Sequence, residues 1–538
     1  MSISSRKIGF CLVLLLVSAL LFLPAGTGMI FAQGEQEIEL VELSRYTANG
    51  AEIAAYDPQS QKLILTGGSG GGQLQIISLS DPNFPGLLET LPMYSTSVDV
   101  ANGVAAVASP AGGGARPGNV AFIDMDTLET ITTVAVGYKP DMVIFTPDGQ
   151  KVLVANEGEP VGASDPEGSI SVIDLSAGTA AASVRTADFT AFNSQRAALV
   201  EAGVRIFPSA GSVAQDLEPE HIAVSPDGKQ AWITLQENNA LAIVDVENAE
   251  VSAVLPLGLK DWSLSGLDPS SKDGPRGGKA IKIGPWPVFG MYMPDSIVSF
   301  EAGGELYLLT ANEGENRGEM VDVSTLDLDS GVFTDTLHLQ ADASLGMLNV
   351  SGLESDLDGD GDGEADRLYA FGGRSFSIWS PEGELVYDSE SGIEETIAAQ
   401  APEWFNANQG NPGQWDSRSQ DRGPEPEAAA VGAIGGRVYA FIGLEQAGGG
   451  VLVYDVTQPE NPQFIQYVRS DEDIAPESIL FIPEGDSPNG EPLLLVANEG
   501  SGTLTVYLIE GGAAPTPIPT QEPPGGNIFR HFMPQLGS

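Results

Sequence analysis

The sequence predicts an all-β protein: a single β-propeller of four-stranded antiparallel blades around a central channel. Three observations carry this. One segment form recurs along most of the chain. Glycine (65) and proline (37) are frequent among the 538 residues, which suits short strands joined by tight turns. Hydrophobic residues make up 42%, enough for a sizeable core.

The recurring segment reads Pro-acid, apolar run, turn, second apolar run, acid-containing turn. It appears five times: Pro140-Asp141 to Asn156-Glu157-Gly158; Pro219-Glu220 to Gln236-Glu237-Asn238; Pro294-Asp295 to Asn312-Glu313-Gly314; Pro426-Glu427 to Leu444-Glu445-Gln446; and Pro476-Glu477 to Asn498-Glu499-Gly500. The turns Thr146-Pro147-Asp148-Gly149 and Ser225-Pro226-Asp227-Gly228 supply hairpin angles. Third strands follow at Ile170 to Leu175, Leu241 to Val246, Val451 to Val456 and Leu504 to Ile509. Three further units, 51–91, 97–136 and 352–389, keep the strand spacing without the Pro-acid start. Together they predict eight blades, or seven if one unit is degenerate. Ile38 to Leu43 is placed to pair into the last blade and close the ring. A short helix is expected near Ser194 to Ala202, and insertions near 260–286 and 394–422.

The ends read differently. Arg6 and Lys7 precede the apolar run Ile8 to Leu23, and Ile30-Phe31-Ala32 offers a cleavage point, so 1–32 is expected to be a secretory signal. The one cysteine, Cys11, lies inside that run, which leaves the mature chain no disulfide and no thiolate ligand. The propeller is assigned to 33–511, a Pro/Thr-rich linker to 512–526, and a tail to 527–538. The tail carries Phe529, Arg530, His531, Phe532 and Met533 and reads either as an attachment signal or as a frayed terminus. No further segment is apolar enough to span a bilayer. A secreted, extracytoplasmic or surface-attached protein is the expectation.

Charge narrows the partners. With 74 acidic and 24 basic residues the formal net charge is −50, which excludes nucleic acid as a partner of a generic basic surface and favours divalent cations. In a propeller blade the start of the innermost strand and the end of the second lie on one face. Asp141, Glu157, Glu220, Glu237, Asp295, Glu313, Glu427, Glu445, Glu477 and Glu499 are therefore expected around one mouth of the channel. So many carboxylates raise one another's pKa unless cations, basic side chains or shared protons compensate. All-oxygen ligands favour Ca2+, with Mg2+ as the second choice. The alternative is turn chemistry, in which these acids bond backbone amides.

A second metal signal is Asp358, Asp360, Asp362, Glu364 and Asp366, with Gly363 at the sixth position, expected to form a calcium loop that stiffens a blade. An EF-hand is excluded because its last ligand would fall on Tyr369. Arg374, Arg418, Arg422 and Lys260 could balance the mouth or hold an anion such as phosphate. His221 follows an inner-strand start. Standard hydrolase and nucleotide motifs are absent.

Several longer stretches resemble the bacterial choice-of-anchor I family, itself similar to the mesenchyme-specific cell-surface glycoprotein of echinoderms. They include Pro140-Asp141-Met142-Val143 with the stretch Val154 to Pro160, Leu235 to Ala242, Trp286 to Asp295, Arg374 to Trp379, Gly423 to Glu427, and Ser487 to Gly490. The resemblance covers about residues 45 to 510. It implies extracytoplasmic placement with a variable C-terminal attachment. Some relatives carry an alkaline-phosphatase label, and others are linked to calcified matrix. His221 departs from the tyrosine expected there. The first reading is thus a secreted, calcium-binding propeller acting as a surface or matrix binding module for an extracellular ligand. The alternative is a metal-dependent phosphoesterase acting on a phosphorylated small molecule, with Glu313, Glu427, Arg374 and Arg418 as catalytic candidates.

Overall fold

The computed structural model describes residues 37–67, 73–353 and 363–512. The expected signal segment, nearly all of the linker, the tail, and Asp358, Asp360 and Asp362 of the expected calcium loop lie outside these residues.

The described residues form eight sheets, and seven of them surround a channel. Blade 1 runs Ala54–Asp57, Lys62–Leu65, Leu74–Ser78 and Gly86–Leu91 from the channel outward. Blade 2 starts at Ser97–Ala101, blade 3 at Pro140–Phe145, blade 4 at Ile222–Val224, blade 5 at Ile297–Ala302, blade 6 at Pro426–Ile434 and blade 7 at Pro476–Ile482. Each of the seven has four strands, all paired antiparallel. Blade 7 takes its outermost strand from the other end of the chain: Glu39–Thr47 pairs with Thr503–Glu510, as the Ile38 to Leu43 reading anticipated.

Why the middle strands are nearly continuous in apolar residues follows from this packing. Each is covered on both faces, so alternate side chains enter different interfaces. In Lys62–Leu65, Leu63 and Leu65 pack towards blade 7 while Ile64 packs towards blade 2. Seven apolar clusters bridge the seven pairs of consecutive blades, including blade 7 to blade 1 through Leu495 and Leu65.

The eighth sheet is an accessory. It has five short strands, with one parallel pair between Phe289–Met291 and Tyr369–Ala370, and its own core around Trp262, Val288 and Leu348. It is built from chain inserted around blade 5. The stretch 313–374 separates the second strand of that blade from its third, Ser375–Trp379. The repeat unit at 352–389 therefore supplies the outer half of blade 5 and the central strand of the accessory sheet, and seven blades line the channel. The helix Arg196–Ala202 sits where expected.

The recurring Ala-Asn at the end of the second strand has a packing reason. Asn156, Asn312 and Asn498 are almost fully buried and reach the third strand of their blade. Asn312 Nδ2 donates to Ser375 Oγ (3.1 Å) and Ser377 Oγ (2.7 Å), and its Oδ1 accepts from Thr310 Oγ1 (2.8 Å). Asn156 reaches Ser171 Oγ at 3.0 Å, and Asn498 reaches Thr503 Oγ1 at 3.2 Å. These bonds reinforce the last ladder pair where the strand ends and the acidic turn begins. Asn312→Ala leaves buried hydroxyls short of a partner and is expected to cost about 1–3 kcal/mol in chemical denaturation. A loss below about 0.5 kcal/mol would show that the side chain only fills space.

Candidate functional site

The mouth of the channel is set by the residue that precedes each Pro-acid pair. Lys139, Met293, Glu425 and Ala475 all adopt left-handed backbone angles, with φ of 46°, 46°, 49° and 54°. Each conformation costs about 1–2 kcal/mol for a side-chain-bearing residue. The return is a carbonyl turned towards the end of the second strand. Glu157 N donates to Lys139 O (3.0 Å), Glu445 N to Glu425 O (2.9 Å), Glu499 N to Ala475 O (2.8 Å), and Gly314 N to Met293 O (3.0 Å). Gly314, at φ 91°, has no room for a side chain, since a Cβ would lie 2.4 Å from Gly372 N. The two acids of a blade are thus tied to one turn, and both face the mouth.

An inner tier follows from these starts. Asp141, Glu220, Asp295 and Glu477 line one cavity together with Glu52 of blade 1, and Glu427 lies within hydrogen-bonding reach of Asp295. Blade 2 contributes Thr96 and Ser97 instead, and Thr96 Oγ1 donates to Pro140 O (2.7 Å). Glu52 escaped the sequence reading because blade 1 has no Pro-acid pair.

The outer tier holds the counter-charges. Lys139 Nζ binds Glu157 (2.7 Å) and Glu159. Arg317 reaches Asp216 (3.1 Å), Glu218 (2.9 Å) and Glu237 (3.4 Å). Arg422 reaches Glu313 (2.7 Å), Glu315 (2.9 Å) and Glu425 (3.0 Å), and Arg418 binds Glu425 and Asp421. Among the described residues, Glu220, Glu427 and Glu477 make no ion pair. Burial, reinforced by neighbouring carboxylates, drives all three well above the usual carboxyl range. Burial and Asp141 push Glu157 up to about 8; burial raises Asp295 to about 7 and Glu218 to about 9. Glu313 reaches about 8 through burial although Arg422 pulls it down. His221 Nδ1 lies 3.6 Å from Asp295 Oδ2, and burial lowers its pKa. It contributes little positive charge at neutral pH.

Two sets of three carboxylates converge so that their oxygens lie within 4.8 Å of one another: Asp295, Glu313 and Glu427; and Glu313, Glu425 and Glu445. The second set already surrounds Arg422. In the first, Arg422 touches Glu313 and His221 lies beside Asp295, but Glu427 makes no ion pair among the described residues and its Oε2 is buried without a hydrogen-bond partner. Glu425 escaped the sequence reading; the signal was Arg418 and Arg422, which bind it from seven and three residues upstream. Glu499 is held by its backbone amide on the side of blade 7. Arg374 lies behind the mouth, buried, with its guanidinium on Asp268 O (2.9 Å), Glu394 (2.8 Å), Ser419 O (2.6 Å) and Asp421 O (2.7 Å). It holds the segment that carries Arg418 and Arg422. Lys260 is likewise buried on Asp388 (2.7 Å). Glu364 and Asp366 flank the buried Ala365, away from the mouth, beside Leu328.

The raised carboxyls carry a pH dependence. A group with a native pKa above its unfolded value binds more protons in the native state, so stability falls as pH rises towards the native value. Chelated protein is therefore expected to melt progressively lower from about pH 5 to about pH 9, the window between unfolded carboxyl values and Glu218. A melting temperature that rises across this window would contradict the desolvated mouth.

Comparison with known proteins identifies the family. The profile of the choice-of-anchor I domain matches residues 52–459. Gigasin-3a of Magallana gigas is 34% identical over 203 residues, which are 34% of this chain and 70% of that protein. The mesenchyme-specific cell surface glycoprotein of Strongylocentrotus purpuratus is 32% identical over 275 residues, 44% of this chain and 35% of that protein. Among solved structures, the Cps50 (Swd1) β-propeller domain of Myceliophteria thermophila aligns with a TM-score of 0.44 at 8% identity, covering 87% of this chain and 99% of that one. Kuenenia stuttgartiensis hydrazine synthase aligns at 0.43 and 13%, covering 86% and 96%. At these scores the likeness adds nothing to the blade topology itself. With the profile matching most of its length, the chain belongs to the choice-of-anchor I domain family.

Proposed function

We propose that this protein is an extracellular, surface-associated or secreted binding module whose channel mouth holds a divalent cation on Asp295, Glu313 and Glu427. The observation that carries the reading is the convergence of these three carboxylates on a Glu427 oxygen that is buried without a hydrogen-bond partner. An unpaired buried carboxylate is costly, and a cation or a shared proton is what relieves it. Calcium suits the site better than magnesium because it accepts irregular all-oxygen shells. A bound ion would keep coordination positions for a ligand's own oxygens, so acidic or hydroxylated extracellular ligands fit the mouth. Outside placement is supported by the signal-like 1–32 and by a relative that is a cell surface glycoprotein by name. No helix among the described residues is long and apolar enough to cross a membrane.

The phosphoesterase alternative gains no comparable support. It needs free basic groups for the phosphate, and Arg374, Arg418 and Arg422 are held on carboxylates and carbonyls, while Arg317 binds three carboxylates and keeps only a buried Nε without a partner.

Calorimetric titration of the chelated full chain with Ca2+ tests the proposal. Glu427→Gln and Asp295→Asn are each expected to remove one equivalent of bound calcium. Any equivalent held by Asp358, Asp360 and Asp362 stays. Saturating calcium at about 100 times the Kd should add about 2.7 kcal/mol of stability to the wild type, and less to each variant. Isotherms unchanged by both substitutions would overturn the site. Phosphomonoester turnover that vanishes on chelation and returns with calcium would promote the enzyme reading instead.

A further inference from the structure

Below the mouth the channel opens into a cavity of about 630 Å³ enclosed by the seven innermost strands. Its wall holds carboxylates, apolar side chains, His221 and a few serine and threonine hydroxyls and, among the described residues, no lysine or arginine. The carboxylates sit at two levels. Glu52, Asp141, Glu157, Glu220, Asp295 and Glu477 form the upper one. Asp99 stands alone at the lower one, where its Oδ2 accepts from Phe145 N (2.7 Å). Phe145 is four residues along the strand from Asp141, which separates the levels by about 13 Å. Between them the wall is apolar, with Ile144, Val298, Val431 and Leu480 partly exposed to the cavity. Glu220 is more than nine-tenths buried, and its Oε2 has no hydrogen-bond partner.

We infer that this channel binds a linear alkyl polyamine, one terminal ammonium held by the upper carboxylates around Glu220 and the other by Asp99. Carboxylates at both ends with no lysine or arginine in the wall call for a ligand that brings positive charge; Asp99 takes backbone donors on both oxygens, from Val100 N (2.8 Å) and Phe145 N (2.7 Å), but makes no ion pair among the described residues. The apolar belt calls for methylenes between the charges, which a hydrated metal ion does not supply. Asp295 is shared with the cation proposed above, whereas Glu220 and Asp99, which anchor the two ends, are not among that ion's ligands. The same alkylammonium chemistry could arrive as the lysine side chain of a partner protein, but a single ammonium engages only one level.

The test is calorimetric titration of the full chain at about 0.15 M salt, where adsorption to the acidic surface is screened. The probes are spermidine, putrescine, butylamine and Nα-acetyl-lysine amide, with and without calcium. Spermidine is expected to bind one site at least tenfold more tightly than the other three, the worth of one further charge-assisted contact. Glu220→Gln should weaken every amine. Asp99→Asn should erase the preference for spermidine over putrescine while putrescine binding persists. Leu480→Trp, which fills the belt without touching an acid, should remove spermidine binding and leave calcium binding unchanged; near-UV circular dichroism verifies that each variant is folded. Equal affinity for spermidine and butylamine, or binding untouched by all three substitutions, overturns the proposal. Acetyl-lysine amide matching spermidine would overturn the polyamine and assign the upper level to a partner's lysine.

Discussion

The arrangement of the mouth depends on one backbone interaction: the carbonyl of a left-handed residue, placed just before proline, accepting an amide from the end of the second strand. Four blades use it, at Lys139, Met293, Glu425 and Ala475. Proline then fixes the entry angle of the innermost strand, so the next residue, always Asp or Glu, is delivered to the channel rim. The buried Asn on the second strand ties the same turn to the third strand. Strain, proline and Asn together fix acids that would otherwise move apart. Blade 4 dispenses with the left-handed residue and ties Glu220 N to Thr234 O (3.1 Å) instead.

Fixing the acids creates the electrostatic problem that shapes the rest of the site. The chain has few basic residues, and several of them are concentrated on the arc of blades 3 to 6. Lys139, Arg317, Arg418 and Arg422 neutralise the outer tier there, while Arg374 anchors the loop that carries two of them. The inner tier is left without such partners at Glu220, Glu427 and Glu477. This division separates most acids that serve the fold from those without a counter-charge, and Glu313, held by Arg422 and converging with Asp295 and Glu427, stands on the boundary. It also explains why the mouth and the channel below it differ: the mouth brings three carboxylates to one point, whereas the channel spreads them over two levels with hydrocarbon between.

Much of this was legible in the sequence because the repeats are literal. Pro-acid and Asn-Glu-Gly mark strand starts and ends, and they place all ten predicted mouth acids on the blades expected. The closing strand was legible as Ile38 to Leu43. Other features were not, for physical reasons. The unit at 352–389 has the strand spacing of a blade, but Ser375–Trp379 pairs with Glu305–Asn312 across a long insertion, a distance that no local pattern records. Glu52 and Asp99 lack a motif because their blades have none, and only the ring closure brings them to the channel. Glu425 looked like a residue preceding a motif rather than part of one. The roles of Arg374 and Arg418 as loop and carboxylate partners depend on burial, which charge alone cannot show.

The central claim, a cation at the meeting point of Asp295, Glu313 and Glu427, is most directly tested by anomalous diffraction from crystals grown with calcium. The account predicts a peak within about 2.3–2.6 Å of oxygens from all three carboxylates, the calcium–oxygen range. Clear density for these side chains at saturating calcium with no peak between them would contradict it, and shared protons would then be what holds the mouth together.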